Sequence, residues 1–312
     1  MAGTITTRDS FYQRTPTSRR LVLQDRDYRI LWGLAKWRFL RKAQLFRLVG
    51  GSEQMLGWRL KLLFNHKLIT RPERQRALLA DEPSPGGVYG LSMAGARIIT
   101  HHEGWDLARF THVGKNERVG AEFILHAVML ADALIDLHLG AAAHGVTAIR
   151  EQHELIEGMP AQTQRSPKPF LWRTRRVPYD TKVHDINLDP DRLVSLEVAA
   201  GRHNLVFELG RTLTIKPQAA NFRRNTNAWK IAGYLHGFRD QVHMRDWGFS
   251  KVRFCFIDTT PRRVEKLCAL ASDLTRDSLP GLFLFTDIAS VREKGVYAPI
   301  WSTHRGELVS LL

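Results

Sequence analysis

The stretch from Glu53 to His66 constrains this chain more than any other, because its helical period separates two kinds of side chain. At 100° per residue, Leu56, Leu60, Leu63 and Phe64 fall within an arc of about 100°. Gln54, Trp58, Lys61 and Asn65 fall on the opposite side. One face is a core stripe. The other carries amide, indole and ammonium groups, which can meet base edges and phosphates. Ser52 is placed to cap this helix. Upstream, Asp25 is the expected N-cap of a helix with Ile30, Leu31, Leu34 and Trp37 at helical spacing. A short helix with Leu45, Phe46 and Val49 follows and ends at Gly50-Gly51. Downstream, Leu68–Arg71 and Val88–Leu91 read as short strands flanking a loop rich in Pro, Gly and Arg. Helix, helix, helix, strand, basic loop, strand is the order of a winged helix-turn-helix.

Charge supports a polyanionic partner. The chain of 312 residues carries a formal net charge of +15. It is unevenly placed: residues 1–110 hold 19 Lys and Arg against 9 Asp and Glu, and residues 111–312 hold 27 against 22. Phosphate contacts with counterion release are the natural use of such an excess. The expected contacts are Gln54, Trp58 and Lys61 in or near a major groove of double-stranded DNA. Arg59 stands at their flank, and Arg71, Arg74 and Arg76 hold the backbone from the wing. At 44% hydrophobic residues the chain can bury a large core. No run of about 18 apolar residues suggests a spanning helix, and the first residues lack the apolar core of a secretion signal, so a cytoplasmic protein is expected. Cys255 and Cys268 lack zinc-site spacing and read as buried thiols.

The predicted organisation is a flexible basic arm (1–20), the winged-helix domain (21–102), a linker (103–117) and an α/β domain with a mixed sheet flanked by helices (118–312). The long apolar pattern from Arg118 to about Leu139 calls for cover on more than one face. After Gly145 strand patterns dominate, interrupted by a Pro-rich basic segment, Gln164–Lys182. There Arg173, Arg175 and Arg176 alternate with aromatics, a mixture suited to nucleic acid. Glu151, His153 and Glu154 crowd the first strand; with Glu122 they form a weaker candidate metal set, which a solvent-facing edge explains equally. No Gly-rich phosphate loop precedes a helix and no nucleophile elbow occurs, which argues against ATP-driven or serine-hydrolase chemistry.

Asp185 lies near the start of a predicted strand, Val183–Leu188, and Glu208 near the end of another, His203–Leu209. A carboxylate on a buried strand needs a partner or a cation, and two on adjacent strands would suit Mg²⁺. Lys230 and Tyr234 follow on a helix, four residues apart, with Lys230 able to reach a scissile phosphate or its water.

Strand Asp185, strand Glu208, then a helix with Lys230-x-x-x-Tyr234, behind a winged-helix pattern, resembles the replication-relaxation family of plasmids and other mobile elements. The resemblance implies a winged helix joined to a restriction-endonuclease-like, PD-(D/E)xK-type domain. Asp185 and Glu208 would match its metal-binding pair, and Lys230 and Tyr234 its helix signature. It also implies work in DNA relaxation, mobilisation or replication control. Where a nuclease of that fold has Glu-x-Lys, this chain has Glu208-Leu209-Gly210, and Gly210-Arg211-Thr212 keeps only part of the family's following motif. Without the strand lysine, an inactive nuclease-like scaffold is favoured over a Mg²⁺-dependent nuclease or nickase, unless Lys182, Arg211 or Lys230 substitutes. A transcriptional regulator, or a recruitment platform for a relaxase or replication protein, would use the same two-domain arrangement. A homodimer on a palindrome fits any of these functions.

Overall fold

The computed structural model describes residues 11–17, 20–75, 87–179, 182–210, 226–276 and 278–312, and the chain divides into two units, Met1–Ile135 and Asp136–Leu312. Arg76, Arg211 and Thr212 lie outside the described residues.

In the first unit, α1 (Asp25–Trp37) buries Ile30, Leu31, Leu34 and Trp37, as the spacing predicts. Its N-cap is Gln24 rather than Asp25, because Asp27 reaches back to the Gln24 N–H at 2.9 Å in a reciprocal cap. Strand β1 (Phe39–Arg41) is followed directly by α2 (Lys42–Val49), and then by α3 (Glu53–Asn65), where Ser52 Oγ accepts from Met55 N. β2 (Ile69–Thr70) and β3 (Val88–Leu91) complete a three-stranded antiparallel sheet in the order β1-β3-β2. Helix α4 (Met93–Glu103), capped by Ser92, packs against α1. The predicted linker is structured: residues Leu107–Arg118 form 3-10 turns. Buried Asn116 accepts from Arg38 Nε at 3.0 Å and donates to Leu91 O at 3.0 Å. The arm is also ordered in part. Arg14 donates to Phe64 O at 3.1 Å, and the Arg71 guanidinium donates to Phe11 O at 2.8 Å.

Helix α5 (Ala121–Gly140) carries the boundary between the units, so the division falls within it rather than at the predicted linker. Contrary to the expectation from its interrupted apolar runs, it is long and apolar enough to cross a membrane. In this fold it serves as a core helix: Ile124 and Val128 pack with Phe39 and Val88. Gln44 Nε2 ties it to α2, donating to Val128 O at 2.7 Å and Asp132 Oδ1 at 2.6 Å.

The second unit is built on a seven-stranded mixed sheet. β4 (Val146–Glu151), β7 (Arg192–Val198) and β8 (Gly201–Gly210) form an antiparallel meander. Helix α8 (Asn227–Arg239) then carries the chain to β9 (Arg253–Asp258), parallel to β8. α10 (Pro261–Thr275) leads to β10 (Phe283–Asp287), parallel to β9, and the edge is completed antiparallel by β11 (Trp301–Ser302) and β12 (Leu308–Val309). Every residue of β9 from Phe254 to Asp258 is buried. A continuous apolar run of this kind belongs to a central strand covered on both faces. The short helices α6 (His153–Ile156), α7 (Ala161–Gln164), α9 (Val242–Trp247) and α11 (Ile288–Lys294) fill the connections.

The Pro-rich basic segment that interrupts the strand patterns is itself in part a strand. β5 (Trp172–Tyr179) pairs with β6 (Lys182–Leu188) as a separate two-stranded ribbon. One ribbon face lies on α8: Trp172 Nε1 and Thr174 Oγ1 donate to Gly233 O at 3.0 and 2.9 Å. The contact is so close that a Cβ on Gly237 would press into Trp172 and come within 2.6 Å of Thr174 Oγ1. Trp172, Tyr234, Phe254, Phe256 and Leu267 sit in the core that this layer closes.

Candidate functional site

In the first unit, α3 presents the two faces that its sequence predicts. Leu56, Leu60, Leu63 and Phe64 are buried, while Gln54, Trp58 and Lys61 are exposed; Asn65, expected with them, is half-buried and its Oδ1 accepts from Thr15 N at 3.2 Å. Trp58 is 42% exposed and its neighbour Met55 49%, an apolar patch among polar groups. Lys42, at the first position of α2, approaches the same end of α3: its Nζ is 3.8 Å from Glu53 and close to Gly57.

Two arginines expected at this surface are structural. Arg59 is only 4% exposed, and its guanidinium grips the buried Asp27 carboxylate through both Nε, at 2.9 Å, and Nη2. A buried, hydrogen-bonded pair of this kind stays together, because separating it strands a charge in the core. Arg71 is drawn inward by aromatic rings: its guanidinium lies 4.3 Å from the ring centres of Phe11 and Phe64 and 5.3 Å from Tyr89. Burial lowers its pKa, while the Tyr89 hydroxyl opposes that shift. Neither guanidinium is displayed for a phosphate. Arg74 is exposed, in the 3-10 turn Glu73–Gln75 that follows β2.

In the second unit, Asp185 and Glu208 do not come together. Among the described residues their strands are not neighbours: β6 pairs with β5, and β8 lies between β7 and β9. Period-two alternation sends Ile186 and Leu188 inward and Asp185 and Asn187 outward. Exposed Asp185 clasps a β-bulge, accepting from Arg175 Nη1 at 2.6 Å and from Arg176 N at 3.0 Å. The Arg176 N–H and the Arg175 guanidinium together hold its carboxyl below the usual range. Arg173, on the same outward face, is half-buried, whereas Arg175 and Arg176 are exposed.

Glu208 is 1% exposed, and its two oxygens accept from Lys230 Nζ and from the Tyr234 hydroxyl. The strand and helix residues of the predicted signature therefore do meet. Burial pushes the Glu208 carboxyl up to about 7, in spite of the Lys230 ammonium. Burial alone would lower Lys230, but Glu208 and Asp191 outweigh it and hold the ammonium above its ordinary value. Burial, reinforced by the Glu208 charge, drives Tyr234 well above the usual phenol range. The two halves of the ion pair thus pull in opposite directions. The carboxyl is the more deeply enclosed partner, so its desolvation decides the balance.

The acid that the fold brings beside Glu208 is Asp191, a residue that strand spacing alone does not single out. It lies one position beyond the Arg192–Phe207 pair of the β7–β8 ladder, and its Oδ2 accepts from Leu209 N at 2.8 Å. The available signal was Pro190-Asp191 at the head of the strand that pairs with the Glu208 strand. Gly210, where a Glu-x-Lys nuclease has its lysine, packs against buried Asp258: a Cβ there would stand 2.8 Å from Asp258 Oδ2. Of the weaker candidates, Glu151 ends β4 and pairs with His138 Nε2 at 2.8 Å, and His153 opens α6 instead of sharing a strand face with it.

A divalent cation does not fit Asp185 and Glu208. One is exposed and committed to a bulge; the other is sealed between an ammonium and a phenol. Among the described residues, no three His, Cys, Asp or Glu side chains gather as a metal group.

Residues 31–249 match the family model described as replication-relaxation, and the chain belongs to that family. No curated protein and no solved structure matches the chain.

Proposed function

We propose that this member of the replication-relaxation family binds double-stranded DNA of a plasmid or other mobile element, in relaxation, mobilisation or replication control. The observation that carries the reading is the exposed face of α3, where Gln54, Trp58 and Lys61 stand together above a fully buried Leu/Phe stripe. Three helices followed by a small β1-β3-β2 sheet suit a winged helix, in which α3 is the recognition helix and the β2–β3 connection the wing. Lys42 and Arg74 supply cations at its margins. Such a partner places the protein's action in the cytoplasm.

The second unit is read as a restriction-endonuclease-like scaffold. Supporting this are the β4–β7–β8 meander, the helix that follows it, and β9 parallel to β8. The outer face of the β5–β6 ribbon, with Arg175 and Arg176 and the half-buried Arg173, is a second basic surface, within the second unit. Burial of Glu208, with both oxygens taken up by Lys230 and Tyr234, favours a structural role over cleavage. A metal-dependent nuclease is the second reading, and Asp191 beside Glu208 and Lys230 is the observation in its favour. Recruitment of a relaxase or replication protein is compatible with the scaffold role.

The test is duplex retardation across a salt series. Lys61→Ala should weaken binding to all sequences and reduce the slope of log K against log salt by about one. Gln54→Ala should change sequence preference more than affinity. An unchanged slope for Lys61→Ala, together with equal losses for Gln54→Ala on selected and random duplexes, would refute the recognition role of α3.

A further inference from the structure

The polar face of α3 contains an apolar feature that phosphate binding does not use. Met55 and Trp58 are three residues apart, so they adjoin on the helix surface, and both are about half exposed. Gln54 and Lys61 complete the patch. From Gln54 to Lys61 the helix advances about 10 Å, about three base steps at 3.4 Å each.

In the major groove, one group alone is apolar: the thymine C5-methyl. An indole and a thioether chain stationed beside an amide suit a surface on which methyls and adenine edges alternate. Gln can pair bidentately with adenine N6 and N7, while Met and Trp cover the methyls of neighbouring thymines. The charge setting agrees, since Lys61 and Lys42 lie at the margins of the patch and can face the phosphates of the groove walls.

We propose that Met55 and Trp58 are specificity-determining residues that read thymine methyl groups, so that the protein selects A·T-containing sites. The inference rests on the DNA-binding reading above and names what that surface distinguishes. Each methyl covered removes about one CH₂-sized group from water, at about 0.8 kcal/mol. That corresponds to about fourfold in affinity.

The experiment has two stages and uses the full chain. A randomised duplex pool is first selected for binding, and the enriched site is then resynthesised with deoxyuridine replacing thymidine at one position at a time, which deletes the methyl and leaves base pairing intact. The expected result is an enriched site containing A·T pairs. One or two positions should lose about fourfold in affinity with deoxyuridine, and Trp58→Ala or Met55→Ala should abolish that difference. Melting temperatures of the alanine variants, measured alongside, check that each stays folded at the assay temperature; Trp58→Phe, which retains an apolar ring, should keep the sensitivity. The proposal is overturned if the site binds equally well with deoxyuridine everywhere, if both alanine variants keep the sensitivity, or if the pool is retained without enrichment. Those outcomes leave DNA binding standing. No retention of any duplex at low salt overturns the DNA-binding reading together with the proposal.

Discussion

Replacing Glu208 with glutamine tests which force governs the buried centre of the second unit. In the folded chain the carboxyl titrates at about 7, against 4.5 for an ordinary glutamate. A carboxyl whose folded pKa lies above its unfolded one binds more protons when folded. Its contribution to stability is therefore lost as pH rises from about 4.5 to about 7, and is constant above that. At 1.36 kcal/mol per pH unit, the loss amounts to about 3 kcal/mol. Glutamine keeps the shape and cannot ionise. In the variant Lys230 keeps the Asp191 charge nearby, one of the two charges that hold its ammonium above the ordinary lysine value in the wild type. Denaturant unfolding of both proteins between pH 4.5 and 8 should therefore show Glu208→Gln gaining on the wild type by about 3 kcal/mol across the range. Taking the difference cancels the titrations the two proteins share. A difference that does not change with pH, or that moves in favour of the wild type, would mean that Lys230 outweighs burial. Desolvation would then not be the force that governs Glu208.

Two further substitutions probe features hidden from the sequence. Arg59→Ala should destabilise the protein by about 3–5 kcal/mol by stranding buried Asp27. It should leave the salt slope of DNA binding unchanged, and a reduced slope with little loss of stability would restore Arg59 to the interface. Gly237→Ala should destabilise by about 1–2 kcal/mol in urea unfolding, because overpacking against Trp172 and Thr174 exceeds the gain in helix propensity of about 1 kcal/mol. A neutral or stabilised variant would show that the ribbon can move off α8.

Local signals carried much of the account. The two faces of α3, its Ser52 cap and the apolar runs of β9 and β10 depend on spacing within one segment, and the sequence displays them directly. The Lys230–Tyr234 pair was legible because i and i+4 share a helix face, although its partner Glu208 lies on another element. Pairing between distant segments was not legible. Asp185 was expected beside Glu208 because their strands follow closely in the chain, yet β6 turns back on β5 and leaves the large sheet to β7. Alternation within 182–188 already placed Asp185 opposite Ile186, but which face met the core depended on α8. Arg59 and Arg71 looked like surface cations. Their partners, Asp27 on α1 and Phe11 in the arm, are 32 and 60 residues away, and only the fold brings them near.

The most direct test of the central claim is one gel. Supercoiled plasmid is incubated with the wild type and with an Asp191→Asn/Glu208→Gln variant, in EDTA, Mg²⁺ or Mn²⁺. Half of each sample is run native and half after the protein is stripped off. A DNA-binding protein with a silent nuclease-like unit predicts retardation by both proteins, and unbroken supercoiled plasmid after stripping in every metal. Metal-dependent nicking that the double variant loses would contradict the scaffold role, and absence of retardation at low salt would contradict DNA binding itself.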